Sequence, residues 1–171
     1  MAKGLTSSYV LLGAMGVSDA IAEHFRDNVF WGGLTYNSHP MGCATALAVI
    51  DVYEQDGLID RAKQMGEVMR AHMERLYEKH PSLGAHRNIG LFGILELVID
   101  RESYTPLAPY NGTSAEMTAV QAYMREHGLF ALTRWNTIQA IPPLIITEDE
   151  MAQGYEIIDN ALYLADEAYR G

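Results

Sequence analysis

The sequence has 171 residues, 49% of them hydrophobic and 20% charged, a composition that excludes intrinsic disorder and provides enough apolar residues for a globular core. Aspartate and glutamate number 22 against 12 lysines and arginines, and the formal net charge of -10 argues against nucleic acid and anionic membranes as partners. Cys43 is the single cysteine, which excludes an internal disulfide and favours the reducing cytoplasm. No apolar run approaches the roughly 20 residues that span a bilayer, and we expect no signal peptide.

The first third of the chain predicts one strand and two helices. Tyr9–Met15 has the apolar density of a short buried strand, and Ser18 suits the N-cap of the first helix. Glycine, asparagine and proline make residues 30–40 a loop, and Pro40 suits the first position of a helix that continues to about Gln55. Because this second helix is apolar almost all round, we expect it to be buried between layers.

Three further helices are predicted in the rest of the chain. The first begins near Leu58, after an Asp-Gly pair that ends the preceding helix, and its apolar residues recur at alternate steps of four and three. Two capping boxes, Thr113–Glu116 and Thr147–Glu150, are expected to open the other two helices. We expect these three helices to cover one face of a sheet.

Residues 82–87 are predicted as a loop, and residues 89–99 have the aliphatic density of a central strand. Residues 129–133 and 137–141 are predicted to pair with that strand in a mostly antiparallel sheet, which gives an α/β layer arrangement. The first strand and the apolar helix need a larger sheet than these strands supply. We therefore expect residues 1–15 to be covered by another chain or another part of the parent protein.

The six histidines show no spacing typical of a metal site, and no metal is expected. His39 directly precedes Pro40, and we expect a hydrogen-bonded packing histidine there. The others are expected at surface or half-buried positions: His24, His72, His80, His86 and His127.

Three motifs occur in order: Ala-Lys-Gly-Leu-Thr-Ser-Ser-Tyr-Val at 2–10, Leu-Thr-Tyr-Asn-Ser-His-Pro-Met-Gly-Cys-Ala at 34–44 and Pro-Pro-Leu-Ile-Ile-Thr at 142–147. Their order and spacing resemble the class III aminotransferases, which are pyridoxal-phosphate enzymes of fold type I. The amine:pyruvate or ω-amino-acid branch, including taurine:pyruvate enzymes, is the most similar. The resemblance implies that residues 1–56 end the large cofactor-binding domain and that residues 57–171 form the C-terminal small α/β domain.

Lys3 matches the family's Schiff-base lysine, so the resemblance implies a catalytic and cofactor-binding role. Small neighbours such as Gly4 and Ser7 leave room for a ring beside its amine. Without the motif, a lysine at position three is more typical of a solvated terminus.

Thr35 and Tyr36 fall in the motif whose threonine hydroxyl and backbone hold the cofactor phosphate across the dimer interface in this family. A hydroxyl and free N–H groups before a helix suit a phosphate dianion, although a simple turn threonine is the structural alternative. The family more often carries glycine where this sequence has Ser38.

Arg134 lies where the family's mobile arginine binds the substrate carboxylate, and a guanidinium fork suits that role. A surface arginine in a hairpin turn is the alternative. Trp31 and Trp135 are candidates for the walls of the substrate pocket, although tryptophans also simply pack. The family's pyridinium carboxylate, stacking aromatic residue and glycine-rich phosphate loop lie upstream of the lysine. We therefore expect a C-terminal part that works with the N-terminal half of the same enzyme.

The resemblance implies a homodimer or higher homo-oligomer that transfers an amino group from an amine or ω-amino acid to a keto acid such as pyruvate. The motifs indicate the cofactor better than the reaction, so a pyridoxal-phosphate aminomutase or decarboxylase is an alternative. An inactive fragment that serves only as a folding or dimerisation module is a third possibility.

Overall fold

The computed structural model describes residues 1–171, which divide into two compact units, Met1–Leu58 and Ile59–Gly171. The first unit contains a 3-10 helix, Lys3–Thr6, followed by helices α1 (Asp19–Asp27) and α2 (Pro40–Gln55). The loop before α2 and the proline at its first position are as the sequence predicts. No helix is both long and apolar enough to cross a membrane.

The second unit is an α/β arrangement in which every strand pair is antiparallel. The sheet order is β1-β2-β5-β4, and β3 pairs separately with β2. Both the fold class and the mostly antiparallel sheet are therefore confirmed. The elements are α3 (Leu58–Lys79), β1 (Leu83–Ile89), β2 (Phe92–Asp100), β3 (Thr105–Pro106), α4 (Ala115–Glu126), β4 (Leu132–Arg134), β5 (Thr137–Ala140) and α5 (Glu148–Asp166).

The central strand is one arm of a hairpin, and this differs from the prediction. β1 occupies most of the segment predicted as a loop, and it pairs with β2 from Ile89 opposite Phe92. Gly90 has a φ of 52° and allows the sharp turn that ends β1, so residues 89–91 are outside β2. An ion pair of 2.6 Å between Arg87 and Glu96 also joins the two strands.

β2 pairs with β5, with Leu95 opposite Ile138, whereas β4 pairs only with β5, with Thr133 opposite Ile138. The prediction that both short strands contact the central strand is therefore wrong for residues 129–133. The two-residue loop between β4 and β5 makes these two strands neighbours, and β5 also pairs with β2. β5 therefore lies between β2 and β4.

The three helices of the second unit share one hydrophobic core with the sheet. A Cβ atom added at Gly93 of β2 would lie 2.8 Å from the Met69 sulfur, so the absence of a side chain lets α3 approach the sheet. This contact confirms the predicted apolar face of α3. The core includes Met65, Met69, Met73, Leu76, Leu95, Leu97, Val120, Met124, Ile138, Met151, Ile158 and Leu162.

Of the two predicted capping boxes, one forms. The Thr147 hydroxyl accepts from the Glu150 N–H at 3.2 Å, and the Glu150 carboxylate accepts from the Thr147 N–H at 2.9 Å. α4 is instead capped by Ser114, which accepts from the Met117 N–H at 3.1 Å. The box predicted at Thr113–Glu116 is wrong because the helix begins one residue later, which puts methionine at the third helical position.

The first unit leaves much apolar surface uncovered. Tyr9–Met15 is not a strand, since no other strand pairs with it, and Leu11 is 99% exposed. The expectation that residues 1–15 are incompletely covered within this chain is confirmed. In α2 only Gly42 and Ala46 are buried, so the predicted burial of the whole helix is wrong, because the first unit supplies no second layer around it.

Candidate active site

Lys3 begins the 3-10 helix of the first unit with an exposed side chain. Its φ is 53°, and Ser7 and Ser8 directly after the helix also have positive φ values of 47° and 64°. Left-handed conformations are uncommon for residues other than glycine, and they concentrate at functional sites. The Lys3 amine makes no hydrogen bond or ion pair, so its donors are available to a ligand.

The segment around Lys3 is fixed against α2 by small residues. A Cβ atom added at Gly4 would lie 3.7 Å from the Tyr53 hydroxyl oxygen, and one added at Gly42 would lie 3.5 Å from Leu12. Thr6 is buried, and its hydroxyl donates to the Val10 carbonyl. These close contacts hold the backbone around Lys3 against α2, while the Lys3 side chain remains exposed.

Thr35 and Tyr36 are the two central residues of a tight turn that comes before α2. The Asn37 N–H donates to the Leu34 carbonyl at 2.9 Å, which closes the turn, whereas the Thr35 and Tyr36 N–H groups donate to nothing in the chain. The Thr35 side chain is exposed. One hydroxyl and two free N–H groups therefore lie together in this loop, and such groups can hold a phosphate.

Ser38 follows this turn with a φ of 54°. Glycine adopts that conformation at no steric cost, which explains physically why glycine suits this position.

His39 caps the N-terminus of α2. Its Nδ1 atom accepts from the Met41 N–H at 3.3 Å, and its imidazole stacks on Tyr36 with centroids 5.5 Å apart. His39 is hydrogen-bonded as expected, but it is exposed rather than packed in a core. No hydrogen bond joins Lys3 to this loop, and Trp31 is 92% exposed.

Arg134 is the last residue of β4, in the second unit. Its carbonyl accepts from the Thr137 hydroxyl at 2.8 Å, which closes the two-residue hairpin loop. The guanidinium carbon lies 4.5 Å from the centroid of the Trp135 ring, and the guanidinium makes no hydrogen bond or ion pair. The Trp135 ring in turn contacts Tyr110, with centroids 4.3 Å apart. Nothing in the sequence signals the contact with Tyr110, because that residue lies in a distant loop.

A buried histidine corrects the expectation for the remaining histidines. His80 is fully buried, with Nδ1 2.6 Å from an Asp166 carboxylate oxygen and Nε2 2.8 Å from an Asp159 carboxylate oxygen. Burial acts to raise the pKa of the Asp159 carboxyl, but hydrogen bonds from Lys79 and His80 outweigh it and lower that pKa. These residues join α3 to α5, and no cluster in the chain has the composition of a metal site.

Comparison with known proteins relates both units to one family. The family model "Aminotransferase class-III" matches residues 1–162. The taurine–pyruvate aminotransferase of Rhodobacter capsulatus is 33% identical over 180 residues, which cover 95% of this chain and 37% of the relative. The 4-aminobutyrate aminotransferase of Escherichia coli is 32% identical over 166 residues, which cover 92% of this chain and 35% of the relative.

Solved structures agree with the sequence relatives. The taurine:2-oxoglutarate aminotransferase of Bifidobacterium kashiwanohense, solved in complex with pyridoxal phosphate and glutamate, matches with a TM-score of 0.91 and 34% identity. The match covers 97% of this chain and 37% of that one. The chain thus spans little more than a third of the length of the proteins it resembles. With its three motifs, its antiparallel sheet and these matches, the chain belongs to the class III aminotransferase family.

Proposed function

We propose that this chain is the C-terminal part of a pyridoxal-phosphate-dependent aminotransferase that moves an amino group from an amine or ω-amino acid to a keto acid such as pyruvate. The observation that carries the proposal is the unpaired, exposed Lys3 amine on a strained turn that α2 holds in place. The relatives named for taurine and 4-aminobutyrate support a donor with an anionic group. On this proposal, residues 1–56 belong to the large domain and residues 57–171 to the small domain.

The donor groups of the first unit fit the cofactor. Lys3 provides a primary amine with no competing partner, and Thr35 with Tyr36 provides a hydroxyl and two free N–H groups for the phosphate. When bound, pyridoxal phosphate supplies an aldehyde carbon and an electron-withdrawing ring, while the protein supplies position and proton transfer. Lys3 would hold the cofactor covalently through its Nζ atom. The Lys3 amine would also be the base that takes the proton from the substrate carbon and the acid that gives it back during amino transfer.

The phosphate loop is proposed to serve the cofactor of a neighbouring subunit, and this makes the enzyme a homodimer or a higher homo-oligomer. The exposed apolar side chains of α2, such as Leu47 and Ile50, support an additional packing layer around this unit. The N-terminal half of the same enzyme is the other partner that the proposal requires. We expect the isolated 171-residue chain to be inactive without it. The cytoplasmic location also stays a prediction.

Substrate binding is proposed for Arg134 and Trp31. The Arg134 guanidinium has a free N–H edge, which can bind a carboxylate through two parallel hydrogen bonds. Trp31 offers an exposed aromatic wall for the apolar part of an amine.

The test uses the full-length protein loaded with pyridoxal phosphate, a donor amine and pyruvate. Consumption of one pyruvate for each amine consumed, with ping-pong kinetics, is expected of an aminotransferase. Amine conversion without keto-acid consumption would instead favour an aminomutase or decarboxylase. No cofactor binding by the full-length protein would favour the inactive folding module.

A second measurement tests the role of Lys3 independently of turnover. Borohydride reduction followed by peptide mapping should find the cofactor attached to the peptide that contains Lys3. Lys3→Ala should abolish this attachment, whereas the control Lys63→Ala, which changes an exposed lysine of α3, should leave it intact. Attachment to any other lysine would contradict the proposal.

A further inference from the structure

A cavity of about 370 Å³ lies in the second unit, between α5 and the segments that flank β4 and β5. Apolar side chains form most of its wall, and two of them, Phe130 and Leu132, are exposed and mark its opening to solvent. The volume falls in the range of small-molecule sites, whereas a stable interface between two proteins needs about 20–30 residues on each side. The cavity therefore suits a small molecule rather than a second copy of the chain.

The hydroxyl of Tyr155 is the one buried side-chain polar atom of the chain that has no hydrogen-bond partner. Tyr155 lines the cavity and is 3% exposed. Its ring stacks on the imidazole of His72, with centroids 5.0 Å apart and an angle of 11° between the planes, and this contact holds the ring in place. Burial raises the pKa of the hydroxyl well above its ordinary value, so the group stays protonated and can donate. An unpaired donor inside a protein is costly, which indicates that a partner reaches it from the cavity.

The wall of the cavity offers few groups to an ion or to a water molecule. No lysine or arginine lines it, and its single carboxylate, that of Glu150, already accepts from the Thr147 N–H in the capping box. Besides Tyr155, Gln139 is the only uncharged polar side chain in the wall. A bound water needs two to four polar partners, so it would be poorly held here. A neutral molecule that carries one oxygen on an apolar body fits this wall better.

One side of the cavity is braced by hydrogen bonds, and it includes a motif to which the proposed function gives no role. Pro142 and Ile146, from the Pro-Pro-Leu-Ile-Ile-Thr motif, line the cavity. The Arg61 guanidinium of α3 donates to the Leu144 carbonyl at 3.2 Å and to the Ile146 carbonyl at 2.5 Å. The capping box of α5 begins directly after Ile146. This wall is therefore held on both sides, as in sites that are formed before their ligand binds.

We propose that this cavity binds a neutral, mainly apolar small molecule through one oxygen atom that accepts a hydrogen bond from the Tyr155 hydroxyl. Small ethers, esters and ketones have this chemistry. The hydroxyl selects such molecules from other apolar ones, because a ligand without an acceptor leaves the buried donor unpaired. The inference makes no use of Lys3 or Arg134 and does not depend on the proposed function.

The test uses the full-length holoenzyme and two probes of nearly the same shape, anisole and ethylbenzene. Anisole has an ether oxygen where ethylbenzene has a methylene group, and neither probe is an amine or a ketone. Calorimetric titration should show that both bind. Tyr155→Phe should lower the affinity for anisole about three- to tenfold, the effect of one lost hydrogen bond, and leave the affinity for ethylbenzene unchanged or higher. Tyr163→Phe, which removes an exposed hydroxyl from the same helix, is the matched control and should change neither affinity.

A second variant tests where the probes bind. A Cβ atom added at Gly154 would lie 3.8 Å from Leu129, which also lines the cavity, so the side chain of Gly154→Leu would take up part of the volume. The affinity for both probes should fall at least tenfold in this variant. Unchanged affinities would place the probes elsewhere in the protein and would overturn the inference.

Other results would also overturn it. Equal losses for anisole and ethylbenzene in Tyr155→Phe would show that the hydroxyl donates to no ligand oxygen. If the wild-type holoenzyme binds neither probe, the cavity is filled by another part of the parent protein or by water alone. The melting temperature of Tyr155→Phe then separates these two cases, because it falls if the hydroxyl pairs with the parent protein and stays the same if it pairs only with water.

Discussion

The imidazole of His80 lies between two carboxylates of one helix: Nδ1 is 2.6 Å from Asp166, and Nε2 is 2.8 Å from Asp159. Each ring nitrogen therefore lies within hydrogen-bond distance of a carboxylate oxygen of α5. Asp166 also accepts from the Ser82 hydroxyl at 2.6 Å. The end of α3 and the residues just before β1 are thereby joined to α5 by one polar network.

Removing the imidazole should destabilise the second unit. His80→Ala removes the donor that two half-buried carboxylates share, while Lys79 and Ser82 remain as partners, and the expected loss in the free energy of unfolding is roughly 1–3 kcal/mol. His127→Ala, at an exposed histidine, should change it by no more than about 0.5 kcal/mol. Urea denaturation of both variants measures the difference. Equal effects would show that the network contributes nothing beyond ordinary surface contacts.

The ion pair between β1 and β2 should make stability depend on acid pH. The hydrogen bond from Arg87 lowers the pKa of the Glu96 carboxyl below its ordinary value, against the opposing effect of partial burial. A carboxyl with a lowered pKa in the folded state contributes stability above its unfolded pKa, and that contribution is lost as pH falls through the folded pKa. Glu96→Gln should therefore be less stable than wild type at pH 7 by about 0.2–1 kcal/mol, the range for an exposed pair. The difference should shrink in urea titrations as the pH is lowered through the folded pKa of Glu96, and a difference that stays constant across the acid range would contradict the assignment.

Two helical glycines should respond oppositely to the same substitution. A Cβ atom at Gly66 of α3 would lie 2.6 Å from the Gly90 Cα atom, and backbone cannot move aside as a flexible side chain can. Gly66→Ala should therefore cost about 1–3 kcal/mol. In α5, a Cβ atom at Gly154 would meet only Leu129 at an ordinary 3.8 Å, so Gly154→Ala should stabilise by about 0.5–1 kcal/mol. Thermal unfolding tests both, and a stabilising Gly66→Ala would contradict the close approach.

Mixed dimers of the full-length enzyme should test whether the two loops serve different sites. Thr35→Ala should weaken retention of pyridoxal phosphate by about 1–3 kcal/mol, the cost of one lost hydrogen bond to a charged group. Lys3→Ala should abolish covalent attachment. If Thr35 acts across the interface, a dimer of one Lys3→Ala and one Thr35→Ala subunit contains one site with both residues intact and regains activity. No recovery in dimers of confirmed composition would show that the loop serves its own subunit's site or none.

The sequence pattern predicts those features that depend on residues close together in the chain. The apolar face of α3 and the capping box at Thr147 were visible in the sequence because both depend on residues three or four positions apart. β1 was missed because its polar residues, such as Arg87 and Asn88, become a strand only through pairing with β2. The burial of His80 depends on carboxylates 79 and 86 positions away, so no local signal reveals it.

In the candidate site, too, the sequence indicates the residues but not their three-dimensional arrangement. The motifs alone indicate Lys3, Thr35 and Arg134, because their types and spacing resemble a known family. The positive φ of Lys3 and the stacking of Arg134 on Trp135 follow from turns whose geometry the residue types do not specify. Ser38 stands where the family more often has glycine, and its φ of 54° lies in the left-handed region.

The helix α2 is a common support for both candidate loops of the first unit. The turn at Thr35 ends where α2 begins, and the segment that carries Lys3 packs along the same helix at Gly42 and Tyr53. In a dimer of the proposed kind, these loops belong to two different cofactor sites. A displacement of α2 would then move the phosphate-binding turn of one proposed site and the lysine of the other, so α2 would couple the two sites mechanically.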